Sequence, residues 1–203
     1  MNISIIGTGL VGSTLAKCWA QGGHTITFGS RTPESDRVQA LVQEVGNNAR
    51  ALTNKDAFAA SPLVVLAVPW KAVEDIIADA GNLARKILVD SINIYPQTGE
   101  KSCADQIAAW AKGASVIKAF NITGTGNMAH PDYNGQRLTM FICGNDSDAK
   151  LKVACLVEEI GFDVVDAGGL DSALMLESLA RLWIHLAYAS GMGTDIGFKL
   201  LKR

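Results

Sequence analysis

A chain of 203 residues has room for one large domain, or one domain with a short extension, and none for a full second catalytic domain. Hydrophobic residues make up 48% and charged residues 19%, enough to bury a sizeable core and to exclude disorder along the whole chain. Eighteen Lys plus Arg against twenty Asp plus Glu give a formal charge of -2, with no basic cluster of the kind that marks a nucleic-acid or membrane partner. The amino-terminal MNISIIGTG carries no basic leader and no apolar run is long enough to span a bilayer, so the expected location is the cytoplasm. Cys18, Cys103, Cys143 and Cys155 show no CxxC spacing and are expected to be buried thiols.

The first expected strand, Asn2–Ile6, runs into Gly7-Thr8-Gly9-Leu10-Val11-Gly12, and a helix over Val11–Gln21 follows. In this GxGxxG, Gly7 permits a tight turn, Gly9 lets the backbone approach a pyrophosphate, and Gly12 lets helix and strand pack closely. The helix N-terminus presents free N–H groups to the anion, so the context predicts a dinucleotide. The second strand, Thr25–Phe28, leads into Gly29-Ser30-Arg31-Thr32. An NAD site would place an acid here; instead Ser30 and Thr32 offer hydroxyls and Arg31 a planar cation suited to a phosphate monoester, which predicts NADP(H). Thr32-Pro33-Glu34 reads as the cap of the next helix, Val38–Val45.

The unbroken LVVLAV of Leu63–Val68 reads as a strand buried on both faces. It ends in Ala67-Val68-Pro69-Trp70, and strand Lys86–Asp90 ends in Ser91-Ile92-Asn93, both at the edge where open sheets bind ligands. Ala67, Val68 and Pro69 can floor the cofactor crevice and Asn93 can hydrogen-bond a carboxamide or a sugar hydroxyl. Structural readings stay open beside these: Pro69 as a strand end, Trp70 as core, Asp90 as a loop brace. Helices over Trp70–Asp79, Ser102–Ala111 and Ala149–Ile160 alternate with strands Val116–Phe120, Leu138–Cys143 and Phe162–Val165. A last helix runs from Asp171 or Ser172 to about Tyr188, with Glu177, Arg181 and His185 as its single polar stripe. So apolar a helix suits either a subunit interface or packing on its own sheet. The pattern predicts an α/β, doubly wound parallel sheet of Rossmann type with a short C-terminal helical extension. Residues 1–203 form one NADP-binding domain, with 168–203 as helix and tail packing on the sheet or on a partner subunit.

Hydride transfer to or from a nicotinamide needs no nucleophile and no metal, only an acceptor held against the ring. No catalytic side chain is therefore assigned; His24, before a strand, reads as structural, and His130 and His185 lack a second ligand at metal spacing. Asn121, Thr123 and Gly124, in the glycine-rich loop that runs to Asn127, and Met192 in Gly191-Met192-Gly193 are placed as flanks of the acceptor ring.

The segments IGTGLVG, FGSR, AVPW, LVDSIN, VIKAFN, FICGND, VVDAGGL and GMGTDIGFKLL, in this order over nearly the whole chain, carry a family likeness. The sequence resembles the NADP oxidoreductases that use 8-hydroxy-5-deazaflavin (coenzyme F420) and is similar to the cytosolic domains of six-transmembrane ferric reductases. The resemblance implies that Thr8 to Val11 hold the pyrophosphate, that Ser30 and Arg31 hold the 2′-phosphate, and that Pro69 and Val73 lie along the cofactor. Aligned through VIKAFN, Asn121 stands where deazaflavin-specific members carry a histidine, as in the ferric-reductase-like members. The expected protein is an NADPH-dependent oxidoreductase passing hydride to a deazaflavin or flavin-type acceptor, as a homodimer joined through the C-terminal helix. The alternatives are a ferric or flavin reductase of the same fold and a non-catalytic NADPH-binding sensor.

Overall fold

The computed structural model describes residues 1–46, 48–94 and 101–203. In chain order it forms β1 (Asn2–Ile6), α1 (Leu10–Gln21), β2 (Thr25–Ser30), α2 (Asp36–Val45), β3 (Ala49–Thr53), α3 (Asn54–Ala60), β4 (Leu63–Leu66) and α4 (Val73–Asp79). Then come β5 (Ile87–Asp90), α5 (Cys103–Trp110), β6 (Ser115–Lys118), α6 (Thr125–Ala129), β7 (Asp132–Tyr133) and β8 (Gln136–Arg137). The chain continues through β9 (Thr139–Gly144), α7 (Ser147–Ile160), β10 (Asp163–Asp166) and α8 (Ala173–Ile184).

Eight strands make one sheet in the order β10-β9-β6-β5-β4-β1-β2-β3. All pairings from β3 across to β6 are parallel, and β1 lies between β2 and β4, with Ile3 opposite both Ile26 and Leu63. The winding direction therefore reverses beside β1, which creates the crevice that doubly wound sheets use for ligands. β4 and β5 are buried at every position because helices cover both faces, as their unbroken apolar sequences require. Ile3, Ile5, Ile6, Val64, Val65, Leu66 and Leu88 form the centre of the core. Trp19 of α1 is 1% exposed, meets Phe120 edge-on at 5.6 Å between ring centroids, and donates its indole N–H to the Leu156 carbonyl at 3.0 Å.

Three departures from the sequence reading have local causes. β9 pairs with β6 antiparallel, Ile117 opposite Gly144, and β10 follows β9, so the last two strands run against the rest. A short helix and the β7–β8 hairpin, not a long crossover helix, precede β9; Asn134 and Gly135 have φ of 54° and 86°, the geometry that Asn-Gly favours in a tight hairpin. Residues 49–60, unassigned by pattern, form edge strand β3 and helix α3, whose first turn is capped by the Thr53 hydroxyl accepting from the Asp56 amide. The final helix is α-helical only to Ile184 and ends in a π turn over His185–Ala189, and its expected polar stripe runs from a buried Glu177, 1% exposed, through a half-buried Arg181 to an exposed His185.

Trp19 fills the space between α1, the end of β6 and α7, and its N–H has a fixed partner. Trp19→Ala should lower the unfolding free energy by about 3–5 kcal/mol, read as an earlier urea midpoint with an unchanged transition slope.

Candidate cofactor site

The glycine loop is held by close approach of backbone to backbone. Gly7 has φ of +119°, and a Cβ there would lie 2.2 Å from the Ala67 carbonyl oxygen; a Cβ on Gly12 would lie 2.5 Å from the Gly7 oxygen. Neither position admits a side chain, which brings α1 and the end of β4 against the loop. α1 starts from Gly9 with no side chain accepting from its first amides, whereas α3, α5 and α7 are capped by Thr53, Ser102 and Asp146. The open end of α1 suits an anion.

That end faces a cavity of about 850 Å³ at the carboxyl ends of β1, β2 and β4. Gly7, Thr8 and Gly9 line its base, Ser30, Arg31 and Thr32 one wall, and Ala67, Val68 and Pro69 the other. Thus nine of the residues singled out in the sequence meet in one place. Five others do not line it: Leu10, Val11, Gly12, Val73 and Asn93, the last of which pairs with Asn121 instead. Leu10 is 77% exposed outside the cavity, and Val11 and Gly12 belong to the helix behind the loop. Val73, expected along the cofactor, is wholly buried; the 3₁₀ turn Trp70–Ala72 shifts the phase so that Ala72 and Ile76 face the cavity instead.

The sequence reading missed Arg37, Asn54 and Asp75, which also line the cavity. Arg37 donates from Nη2 to the Thr8 carbonyl at 2.8 Å, joining α2 to the glycine loop. Its signal was a cation in the first turn of a helix, where the dipole favours acids. α2 begins at Asp36 with Ser35 in the cap position, so Thr32-Pro33-Glu34 forms the turn before the helix and not its cap. The Thr32 amide donates to the Ser30 hydroxyl at 3.1 Å, fixing the wall's curvature.

At the end of β6 the chain turns sharply through Phe120, buried at φ 61°, a left-handed conformation costly for a bulky residue. The turn brings Asn121 back against Asn93. Asn121 Nδ2 donates to Asn93 Oδ1 at 3.0 Å and to the Leu176 carbonyl at 3.2 Å, and Asn93 Nδ2 donates to the Asn121 carbonyl at 2.7 Å. Both amide protons of Asn121 are committed and its Oδ1 is buried without a partner among the described residues. The face of Gly124 is occupied by Trp183, whose ring would stand 2.8 Å from a Cβ there, so the ring that approaches this backbone is the protein's own indole. Asn127 Nδ2 donates to the Thr123 hydroxyl and to the Ile196 carbonyl, tying the loop to the C-terminal tail, while Met192 is 59% exposed.

Beneath the Asn93–Asn121 pair lies a wholly buried ion cluster. Lys118 Nζ contacts Asp90 Oδ2 at 2.8 Å, Glu177 Oε1 at 2.9 Å and the Ile92 carbonyl at 2.7 Å. The Ile92 amide donates to Asp90 Oδ1 and the Cys103 amide to Glu177 Oε1, leaving Glu177 Oε2 without a partner among the described residues. Burial disfavours the charged ammonium, but Asp90 and Glu177 outweigh it and hold Lys118 above the ordinary lysine range. Cys103 Sγ and the two carboxylates lie within 4.8 Å of one another, a spacing that a metal ion could use, but the Lys118 ammonium already serves both carboxylates there. Burial pushes the Cys143 thiol up to about 12; Cys155, expected inside, is exposed on α7.

A glycine loop under an open helix end, at the reversal point of a doubly wound sheet, defines a dinucleotide-binding domain of Rossmann type. A family model described as NADP oxidoreductase, coenzyme F420-dependent, matches residues 2–94. A structure assigned as an F420-dependent NADP-reductase from Arthrobacter sp. FB24 is 30% identical, with each chain covered in full and a TM-score of 0.89. A hypothetical protein of Sinorhizobium meliloti is 33% identical over 85% of this chain and 88% of that one, with a TM-score of 0.74. The chain belongs to the coenzyme F420-dependent NADP oxidoreductase family, a family of NADP-dependent reductases. It is also 28% identical over 182 residues to metalloreductase STEAP3 of Rattus norvegicus, covering 87% of this chain, and it spans 36% of that relative's length. Among the described residues no helix is long and apolar enough to cross a membrane.

Lys118→Met should lower stability by about 3–5 kcal/mol, because it strands two buried carboxylates. With the lysine pKa raised in the folded state, Lys118's contribution is complete below the unfolded value of about 10.4 and is lost as pH climbs through the folded one. Denaturant titrations of wild type and variant should therefore differ most at neutral pH and converge in strong alkali.

Proposed function

We propose that the protein is an NADPH-dependent reductase that transfers hydride to a deazaflavin or flavin-type ring. The observation that carries this reading is the pairing of an open α1 end with Ser30, Arg31 and Arg37 around one cavity. These residues fit NADP(H): the first amides of α1 for the pyrophosphate, Ser30 and the two guanidinium groups for the 2′-phosphate, and Ala67 to Pro69 as an apolar wall. When bound, the cofactor supplies a hydride. Arg31 and Arg37 bind and orient the adenosine end, and Arg37 also steadies the glycine loop through the Thr8 carbonyl. Asn93 and Asn121 brace each other at the carboxyl ends of β5 and β6, and Asn121, Thr123 and Met192 are the residues we assign to the acceptor, while Trp183 covers Gly124. Positioning is the catalytic contribution, and no proton-shuttling side chain is required.

A ferric or flavin reductase is the second reading; Asn121 in place of histidine and the likeness to metalloreductases favour it. Residues 1–203 act as one cofactor-binding unit in both. Met175 at 72%, Leu182 at 48% and Tyr188 at 67% exposure give α8 and its π turn an uncovered apolar side, which supports a homodimer formed through this helix.

Rapid mixing of the protein with NADPH and either deazaflavin or flavin mononucleotide should oxidise the nucleotide as the ring is bleached. Tight NADPH binding with no oxidation by any flat acceptor would identify a sensor instead. Arg31→Ala should weaken NADPH binding by about 1.5–3 kcal/mol and leave NADH nearly unaffected, as calorimetry can measure; equal losses would refute the 2′-phosphate assignment. Leu182→Glu should shift the sedimentation coefficient from dimer to monomer while the far-UV spectrum stays the same.

A further inference from the structure

The buried cluster beneath Asn93 and Asn121 contains two carboxylates and one ammonium. The Ile92 and Cys103 amides donate to it, but dipoles redistribute charge and do not cancel it. Arg181, one turn beyond Glu177 on α8, is half-buried and makes no ion pair among the described residues; its Nη2 donates to Ser178 Oγ and its Nη1 is buried with no hydrogen-bond partner among them, so its charge does not reach the cluster through a direct contact. Asp90 and Lys118 have no exposed side-chain surface and Glu177 has 1%, so water screens this charge far less than a surface one. The cluster is tied directly to the ligand edge: Lys118 holds the carbonyl of Ile92, the residue before Asn93, and Asn121 lies three residues after Lys118.

We propose that Glu177 supplies a permanent negative charge beneath the nicotinamide end of the crevice, so that the protein binds the cationic ring of NADP+ in preference to the neutral ring of NADPH. Removal of a hydride from the reduced ring carries two electrons and one hydrogen nucleus to the flat acceptor and leaves a positive ring behind. A buried negative charge stabilises that product state and makes the bound reduced cofactor a stronger donor. The inference rests on the NADP(H) reading above and adds a charge that tunes the couple. It also explains why so costly a group sits at this edge: Glu177 keeps one buried oxygen without a partner, which a purely structural clamp has no use for.

The test is the ratio of dissociation constants for NADP+ and NADPH, measured by calorimetry on the free protein without any acceptor. Glu177→Gln is nearly isosteric, keeps an oxygen for Lys118 and the Cys103 amide, and removes one negative charge. It should raise Kd(NADP+)/Kd(NADPH) about 3- to 10-fold, the upper figure equal to about 30 mV in the potential of a bound two-electron couple. Asp90→Asn removes the same charge from the other side and should move the ratio in the same sense, whereas Glu158→Gln on the exposed side of α7 should not move it. A ratio within twofold of wild type, with both forms still bound, overturns the inference and leaves the cofactor assignment intact. Wild-type protein that binds neither form overturns both. If neither variant folds, the charge is a structural requirement and the proposal falls.

Discussion

One buried ammonium governs the geometry of the sheet's central ligand edge. Taking Lys118, Asp90 and Glu177 out of water costs several kcal/mol per ion, and that cost is offset only while every contact in the cluster is made. Asp90 ends β5, Lys118 ends β6 and Glu177 belongs to α8, so meeting these contacts fixes two strands and a helix to one another. The Asn93–Asn121 pair stands on this base and takes its position from it. An exposed ion pair could not do this, because long side chains in water give up their partners readily.

The two ends of the crevice rest on opposite materials. The cofactor end is built mostly from what is missing: no Cβ at Gly7 or Gly12 and no side chain over the first amides of α1. Its cations, Arg31 and Arg37, lie exposed at the rim. The β6 side is built from packed side chains, with Asn127, Trp183 and Ile196 in one hydrogen-bonded set and the tail returning to β9 through Phe198 and Leu200. One end can accept a charged ligand with little rearrangement. The other resists deformation and can define where a ring must stop.

Much of the cofactor end was legible in the sequence because its constraints are local. A glycine that must take φ of +119°, or an arginine following the second strand, is marked by residue type at a fixed offset from an element. β3 was missed because Ala49–Thr53 contains no β-branched residue until its last position, and the hairpin was missed although Asn134-Gly135 carries its signal. Val73 was misplaced by a 3₁₀ turn that moves the helical phase. The ion cluster was out of reach for a deeper reason. α8 is apolar nearly all round, so periodicity could not say which side of it faces inward, and Glu177 stood only as one member of a polar stripe. Its partners come from strands 59 and 87 residues earlier, a pairing that only the fold creates.

The strand order places the end of β2 and the end of β6 four inter-strand steps apart, about 19 Å. The proposed phosphate contacts and the proposed acceptor contacts thus stand at separate locations, with β1, β4 and β5 as a shared spine between them. Such a layout is modular. Under that proposal, substitutions confined to the β6 side would exchange one redox client for another and leave the grip on the phosphorylated nucleotide untouched.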